Sequence, residues 1–354
     1  MHLIVIADSE LCEAGYILDH HVMDMTMNCA NINGLFIQII TDNPSNQLQE
    51  FCYGQNHIKL TTFKEAQQDI HHHLKVLVVH FGKTCSFLKT FPHYFLPIIT
   101  PNERASISVF KRYLLNRQFG KWIKNATKVI SLNDWSLQSL LTQYPNLKSS
   151  LVSLQLPIME QPIIEWSEMS AVKEIISKGN NYLLIFAGVE NITSILKEFS
   201  LFKKWQQSTM QLVFILENVQ AVNKANSILK GYKFKQDVSI YTTHQVNATW
   251  LAASYLTVFE GVKSSCSYFV MHSIHFGVPL LFDDQIQLTE TCKSAGEVFS
   301  FAEKNVLSNH FKLYYKDEVY RQSRATMGGN WLQTLNHNRS TFELFNNIVL
   351  SHIK

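Results

Sequence analysis

The stretch that decides the fold runs from residue 257 to residue 290 and reads TVFEGVKSSCSYFVMHSIHFGVPLLFDDQIQLTE. It opens on the end of an apolar run, which Glu260 and Gly261 follow. It continues through a loop of small residues into a helix-like apolar stretch. Gly277-Val278-Pro279 and a second apolar run close it. Short apolar runs joined by a helix-length segment are typical of parallel strands that helices bury on both faces.

Apolar runs of strand length recur along the whole chain and are separated by longer amphipathic segments. Their abundance of Val, Ile, Leu and Phe predicts an α/β fold with two doubly wound parallel sheets. The boundary is predicted near residues 156–168, where two prolines and polar residues interrupt the pattern. The runs are Leu3–Ala7, Leu35–Ile40, Leu74–Val79, Phe95–Ile99, Val129–Leu132, Leu183–Ala187, Leu212–Leu216, Val238–Tyr241, Leu256–Phe259 and Pro279–Phe282.

Length and composition limit the class of protein. The 354 residues suggest two domains, and 46% apolar with 17% charged residues is the composition of a globular chain. A net charge of +3 gives no reason to expect nucleic acid as a partner. The six cysteines form no CxxC pair and no zinc-ligand spacing, so we expect a cytoplasmic protein with reduced thiols and no metal site.

Any contact of this protein with a membrane is expected to be peripheral. The N-terminal MHLIVIADSE fits a first core strand better than a signal peptide, and no uncharged apolar stretch is long enough to cross a bilayer. Residues 104–128 contain seven basic residues and no acidic one, with Phe110, Leu114, Phe119 and Trp122 among them. Such a segment fits an anionic membrane surface or a phosphorylated lipid acceptor, and equally a helix with a solvated basic face.

A glycine turn begins the second half of the chain. No G-x-G-x-x-G follows the first strand, which disfavours a dinucleotide oxidoreductase. Instead, Phe186-Ala187-Gly188 closes a strand and leads into a helix over about residues 192–205, for which Asn191 and Thr193 are both plausible N-caps. A glycine turn that runs into a helix start offers free backbone N–H groups to a phosphate.

Over about residues 180–300, the sequence resembles the retaining, metal-independent nucleotide-sugar glycosyltransferases of the two-domain GT-B fold, in particular the group 1 family. The matching pieces are LLIFAGVENITSILKEFSLFKKW, AASYLTVFEG, MHSIHFGVPLLFDD and LTETCKSAGEVF. The resemblance implies two Rossmann-like domains facing across a cleft. It predicts an acceptor domain over 1–160, a nucleotide-sugar domain over 161–330, and a helix over 331–354, after Gly328-Gly329, that returns to the first domain.

The resemblance also implies site residues and a mechanism. Glu260, the catalytic candidate, would accept hydrogen bonds from hydroxyls of the donor sugar. The acceptor would attack on the face that the nucleotide leaves, and the diphosphate would take the acceptor's proton. Neither a protein nucleophile nor a cofactor or metal is then required. The donor-binding candidates are Gly188, Asn191, Gly261, Lys263, Ser264, His272 and Glu290.

Two positions depart from the family pattern. His272 stands where the family has a second glutamate, and Val189-Glu190-Asn191 stands where it usually has a basic residue for the diphosphate. A carboxylate next to a pyrophosphate has the wrong sign. Either Lys263 supplies the missing charge, or Glu190 points away, or the protein does not bind an ordinary donor.

The first half carries weaker signals for the acceptor. Gly15, in the loop after the first strand, and His80, at the end of KVLVVHFGK, are candidates to line the cleft. Three functions remain open at this point. The first is a glycosyltransferase that acts on a glycan or lipid-linked acceptor at the inner face of the membrane. The second is a non-catalytic GT-B protein that binds a partner or glycan, and the third is a nucleotide-sugar epimerase.

Overall fold

The computed structural model describes most of the chain and divides it into two units. Contacts group residues 1–159 with 338–354 in one unit, here the N-terminal unit, and residues 160–337 in the other, the C-terminal unit. The described residues are 2–8, 18, 22–23, 25–26, 29, 34–69, 76–97, 108–131, 134–149, 151–153, 163–260, 267–284, 294–337 and 347.

The N-terminal unit contains a parallel sheet, with the order β3-β2-β1-β4-β5-β6-β7 in its described part. Every residue of the central strands β1 and β4 is buried, which explains their continuous apolar sequences. The strands are β1 His2–Ile6, β2 Phe36–Ile40, β3 Ile58–Thr61, β4 Val76–His80, β5 His93–Phe95, β6 Lys128–Ser131 and β7 Leu151–Ser153.

Helices cover this sheet and complete its core. The longest described one buries Phe119 and Trp122, whose rings lie 5.1 Å and 5.6 Å from the ring of Phe95 on β5. The described helices are α1 Asn46–Cys52, α2 Phe63–Asp69, α3 Phe87–Thr90, α4 Val109–Asn125 and α5 Asp134–Gln143.

The C-terminal unit repeats the architecture with the strand order β10-β9-β8-β11-β12-β13, again parallel. Its strands are β8 Tyr182–Phe186, β9 Gln211–Leu216, β10 Val238–Thr242, β11 Leu256–Phe259, β12 Leu280–Asp283 and β13 Glu297–Phe299. Its helices are α6 Trp166–Ser177, α7 Ile192–Trp205, α8 Val219–Leu229, α9 Ala248–Ala253, α10 Ser267–His275, α11 Val306–Lys316 and α12 Glu318–His337.

The predicted α/β class with two parallel sheets is confirmed, but the apolar runs do not reveal every strand. The sequence analysis missed β3, β7 and β13, which are all edge strands. An edge strand is covered less completely than a central one, so its sequence need not be continuously apolar. In β13, for example, Glu297 is half-buried and Val298 is 40% exposed.

The last described helix differs from its prediction. We expected a break at Gly328-Gly329 and a new helix from Trp331, but α12 begins at Glu318 and continues through both glycines. Gly328 serves close packing: a Cβ atom there would lie 3.1 Å from the carbonyl oxygen of Ala295. Residues 338–346 and 348–354 lie outside the described residues, so the returning helix stays a prediction.

No helix in the described part of the chain is long and apolar enough to cross a membrane.

Candidate functional site

The C-terminal sheet has a topological switch point between β8 and β11. From β8 the chain builds β9 and β10 on one side, and it then returns to add β11, β12 and β13 on the other. Open α/β sheets bind ligands outside the carboxyl ends of their strands at such a point. Gly188 lies two residues beyond the end of β8, and Glu260 directly follows β11. Topology alone therefore brings these two predicted residues together.

The carboxylate of Glu260 is tied to the glycine turn by hydrogen bonds. The backbone N–H of Gly188 donates to Oε2 over 2.8 Å, and Nδ2 of Asn191 donates to Oε1. The N–H of Glu260 itself donates to the carbonyl oxygen of Phe186, also over 2.8 Å. Glu260 is only 9% exposed. The structure thus unites three predicted residues, Glu260, Gly188 and Asn191, around one buried carboxylate.

Asn191 occupies the N-cap position of α7, one of the two alternatives that the sequence left open, but its side chain does not cap the helix. It donates to Glu260 instead. The first N–H groups of a helix have no partner within the helix. The side chain of Asn191 makes no hydrogen bond to these N–H groups, so in the described part of the chain the start of α7 offers donors and a positive dipole end to an anion.

Three carboxylates share this end of the sheet. Burial raises the pKa of Glu260, the hydrogen bonds from Gly188 and Asn191 lower it, and the charges of Asp283 and Glu190 raise it, with a net increase. Asp283 ends β12 and is 1% exposed. The side chain of Glu190 folds back over the turn. Its Oε1 lies so close to Gly188 that a Cβ atom on the glycine would be only 2.2 Å away. Glu190 therefore faces the glycine turn.

The other predicted donor-binding residues are not part of this cluster as described. His272 lies on α10 and is 3% exposed, with its ring centroid 4.0 Å from that of Tyr268. This position suits a packing role for His272. Four candidates lie outside the described residues, namely Gly261, Lys263, Ser264 and Glu290.

The N-terminal sheet has an equivalent switch point between β1 and β4. Asp8 follows β1 and Lys83 follows β4, and their charged atoms Oδ2 and Nζ lie 3.9 Å apart. Thr41, which follows β2, donates its hydroxyl to Oδ1 of Asp8 over 2.9 Å. A carboxylate, an ammonium group and a hydroxyl are thus placed where a ligand of this sheet would bind.

Of the two acceptor-side candidates of the sequence analysis, His80 lies within the described residues. His80 ends β4, but its side chain is in the core, fully buried, with its ring stacked 4.9 Å from that of Phe95. Burial and the neighbouring His93 lower its pKa to about 3. The side chain of His80 therefore packs in the core beneath the helical layer, where its ring contacts that of Trp122. Gly15 lies outside the described residues.

The sequence analysis did not name Asp8, Lys83 or Asp283 as candidate site residues. The available signal was a polar residue at the end of an apolar strand or shortly beyond it, as in PLLFDD and VLVVHFGK. Among the described residues, no group of three or more His, Cys, Asp or Glu side chains is placed to hold a metal ion.

Comparisons with known proteins agree with this architecture. No family model matches the sequence, and no curated protein sequence matches it. Solved structures match along the whole chain. The structure of HepE from Anabaena in complex with UDP-glucose aligns with a TM-score of 0.70 at 11% identity, and covers 98% of this chain and 100% of HepE.

Two further structures give the same result. A glycosyltransferase from Rickettsia africae aligns with a TM-score of 0.68 at 10% identity, over 100% of this chain and 98% of the other. WaaG, a glycosyltransferase involved in lipopolysaccharide biosynthesis, aligns with a TM-score of 0.61 at 11% identity. The alignment covers 94% of this chain and 95% of WaaG. The chain therefore has the two-domain GT-B fold that the sequence predicted, at an identity that marks a divergent sequence.

Proposed function

We propose that the protein is a glycosyltransferase that binds a nucleotide sugar in its C-terminal unit. The observation that carries the proposal is the contact of Glu260 with Gly188 across the β8–β11 switch point. It combines a carboxylate for sugar hydroxyls with a glycine turn and an uncapped helix start for the diphosphate. The complex of HepE with UDP-glucose supports a nucleotide sugar as the donor.

The proposed reaction retains the configuration of the sugar. The bond between the anomeric carbon and the diphosphate oxygen breaks, and an acceptor oxygen bonds to the same face of that carbon. The leaving diphosphate takes the acceptor's proton, so neither a protein nucleophile nor a metal takes part. Glu260 would hold the sugar, and the first turn of α7 would stabilise the charge that develops on the diphosphate.

The proposed acceptor is a glycan or a lipid-linked precursor that binds to the N-terminal unit. Asp8, Thr41 and Lys83 support this assignment because they lie at the carboxyl edge of that sheet. Hydroxyl-rich ligands need both hydrogen-bond donors and acceptors, and this trio supplies both. Peripheral contact with a membrane through residues 104–128, at its cytoplasmic face, belongs to the same proposal.

One observation favours a second candidate, a GT-B protein that binds a glycan or partner without transferring sugar. Glu190 folds over Gly188, so a negative charge occupies the space beside the turn that should receive the diphosphate. A bound diphosphate would have to displace this carboxylate or lie next to it. The two candidates differ in one property, since only the transferase must bind nucleoside diphosphates.

A thermal-shift titration separates these candidates. The melting temperature of the intact protein is measured with UDP, GDP, UDP-glucose, GDP-mannose and, as a negative control, free glucose. A ligand that binds only the folded state raises the melting temperature as its concentration rises. The transferase predicts a saturable increase with at least one diphosphate and its sugar conjugate. An unchanged melting temperature throughout would support the binding protein.

A further inference from the structure

Lys83 lies among the polar side chains at the switch point of the N-terminal sheet. Gly82, with a φ of 106°, allows the chain to turn between β4 and Lys83. Nζ of Lys83 lies 3.9 Å from Oδ2 of Asp8 and 5.7 Å from the centroid of the Phe63 ring, at the start of α2. The ammonium group therefore has a carboxylate and an aromatic ring as its neighbours.

Hydrogen bonds fix both neighbours of Lys83. The hydroxyl of Thr41, which is 2% exposed, donates to Oδ1 of Asp8 over 2.9 Å. The backbone N–H of Phe63 donates to Oδ1 of Asp42 over 3.2 Å. These contacts join the carboxyl ends of β1, β2 and β3, and Lys83 adds the end of β4. The surroundings of the ammonium group are thus built by four adjacent strands.

The uncommitted hydrogen-bonding capacity of this cluster is mainly that of a donor. An ammonium group has three N–H donors and no acceptor. In the described part of the chain, Lys83 uses none of them in a hydrogen bond, since 3.9 Å to Asp8 is an ion-pair distance only. Its side chain is 36% exposed, whereas Thr41 already donates its proton to Asp8. The cluster therefore offers an incoming ligand positively charged N–H groups.

We propose that the acceptor carries an anionic group, a phosphate or a carboxylate, that binds to Lys83. This inference rests on the proposed function, because it uses the acceptor site assigned there to the N-terminal unit. Hydrogen bonds that join an ammonium group to an anion are shorter and roughly twice as strong as bonds between neutral groups. A neutral hydroxyl in the same position would bind the ammonium group more weakly. Lys83 therefore selects charged acceptors over neutral ones.

Asp8 limits the strength of this binding and provides a specific test of it. Its carboxylate lies beside the ammonium group and would repel an anion that binds there. Asp8→Asn removes the repulsion but keeps Oδ1 as the acceptor for Thr41. The variant should therefore bind anionic sugars more tightly. A Lys83 side chain that only supports the fold predicts no such gain.

The experiment titrates the full chain, labelled with ¹³C-lysine, with glucose 6-phosphate, glucuronic acid and, as the neutral control, glucose. The ε-methylene NMR signal of Lys83 reports binding at this site and is assigned by its absence from Lys83→Gln. Asp8→Asn is compared with Glu50→Gln, which removes the same charge at an exposed position on α1. Calorimetric titration of UDP into the same proteins tests the proposed function separately, because the proposed donor site lies in the C-terminal unit.

We expect an anionic sugar to shift the Lys83 signal at concentrations at least roughly tenfold lower than glucose does. The anionic sugar that binds more tightly identifies the group as a phosphate or a carboxylate. Asp8→Asn should bind that sugar roughly threefold more tightly than the wild type at low salt, and Glu50→Gln should match the wild type.

Two results would overturn the proposal. One is a Lys83 signal that responds no more to either anionic sugar than to glucose, and the other is equal affinity of Asp8→Asn and Glu50→Gln for these sugars. UDP binding without a response of Lys83 would refute the anionic acceptor alone. A response of Lys83 without UDP binding would instead refute the proposed transferase.

Discussion

The backbone N–H of Gly188 donates a 2.8 Å hydrogen bond to the carboxylate of Glu260, although 72 residues separate the two in sequence. This bond connects the carboxyl ends of two neighbouring strands, β8 and β11. Glu260 therefore stabilises the Gly188 turn, in addition to its proposed contact with the donor sugar. Substitutions at this position should therefore affect stability and transfer separately.

Replacement of Glu260 separates these two roles. Glu260→Gln keeps an oxygen for the N–H of Gly188, and its NH2 group can donate to Oδ1 of Asn191 once that amide turns over, so the free energy of unfolding should change by less than about 1 kcal/mol. Glu260→Ala leaves that N–H without its acceptor and should cost about 1 to 3 kcal/mol. Transfer by Glu260→Gln should fall roughly ten- to hundredfold, because a charged hydrogen bond to the sugar is lost. Urea unfolding measures the effect on stability, and initial transfer rates measure the effect on catalysis. Full turnover by Glu260→Gln would exclude Glu260 from the donor site.

Asn191 should control the ionisation of Glu260. The hydrogen bond from Nδ2 of Asn191 lowers the pKa of this carboxyl group. In Asn191→Ala that bond is absent, so the pKa of Glu260 should rise further. Carboxyl carbon NMR titration of labelled protein measures it, with Thr193→Ala, at an exposed site on the first turn of α7, as the control. An identical titration curve in Asn191→Ala and the control would contradict the contact.

The two glycines of α12 should respond oppositely to alanine. A Cβ atom on Gly329 has open space, so Gly329→Ala should stabilise the C-terminal unit by about 0.5 to 1 kcal/mol through helix propensity. A Cβ atom on Gly328 would lie 3.1 Å from the backbone oxygen of Ala295 and 3.4 Å from Ile274. Gly328→Ala should therefore be less stable than Gly329→Ala by about 1 to 2 kcal/mol. Equal unfolding midpoints in urea would show that α12 does not pack closely at Gly328.

Glu297 should make the stability of the C-terminal unit depend on acid pH. Burial would raise its pKa, but hydrogen bonds from His310, Tyr320 and Tyr314 and the charge of Arg324 outweigh burial and lower the pKa to about 2. Tyr314 donates its hydroxyl over 2.8 Å, and Nε of Arg324 lies 3.2 Å from the carboxylate.

A depressed carboxyl pKa contributes stability that is complete above the ordinary value of 4.5 and lost as the pH falls through 2. Between those limits the wild type should lose about 1 to 3 kcal/mol through this group. Glu297→Gln should be less stable at neutral pH but lose correspondingly less on acidification. Urea unfolding between these pH values checks the slope, and parallel curves for both proteins would contradict the assignment.

The sequence predicts the centre of each sheet better than its edges. Strands such as β4 and β11 are buried along their whole length, so burial selects continuous apolar residues that can be read directly. Edge strands lack that constraint, and β7 and β13 have only three residues each. The glycines of α12 predict a break because glycine has a low helix propensity, whereas in the structure Gly328 allows close contact with Ala295.

The candidate site was predictable in part for a similar reason. Glu260 and Gly188 follow apolar strands, and their meeting follows from parallel topology once both strands are known. The redirection of Asn191 from its helix to Glu260 is a tertiary contact that no local pattern specifies. Asp8 and Lys83 meet only because β1 and β4 are neighbours in the sheet. Spacing in the sequence therefore gave no sign of that pair.

The proposed function requires that the Gly188 turn receives the donor diphosphate, and a substitution of Glu190 tests this requirement. Its carboxylate lies against the turn and would repel a bound diphosphate. Glu190→Lys replaces this repulsion with attraction, worth about 1 to 2 kcal/mol in a partly wet site, or roughly tenfold in affinity. Glu303→Lys makes the same charge change at another exposed position of the C-terminal unit.

The measurement is calorimetric titration of UDP into the wild type, Glu190→Lys, Glu303→Lys and Lys263→Ala at low and high salt. We expect Glu190→Lys to bind roughly tenfold more tightly than the wild type at low salt, with a smaller gain at high salt. Glu303→Lys should match the wild type, and Lys263→Ala should bind more weakly if Lys263 supplies the missing charge. If Glu190→Lys binds UDP no better than Glu303→Lys, the turn does not receive the diphosphate, and the account of the donor site is wrong.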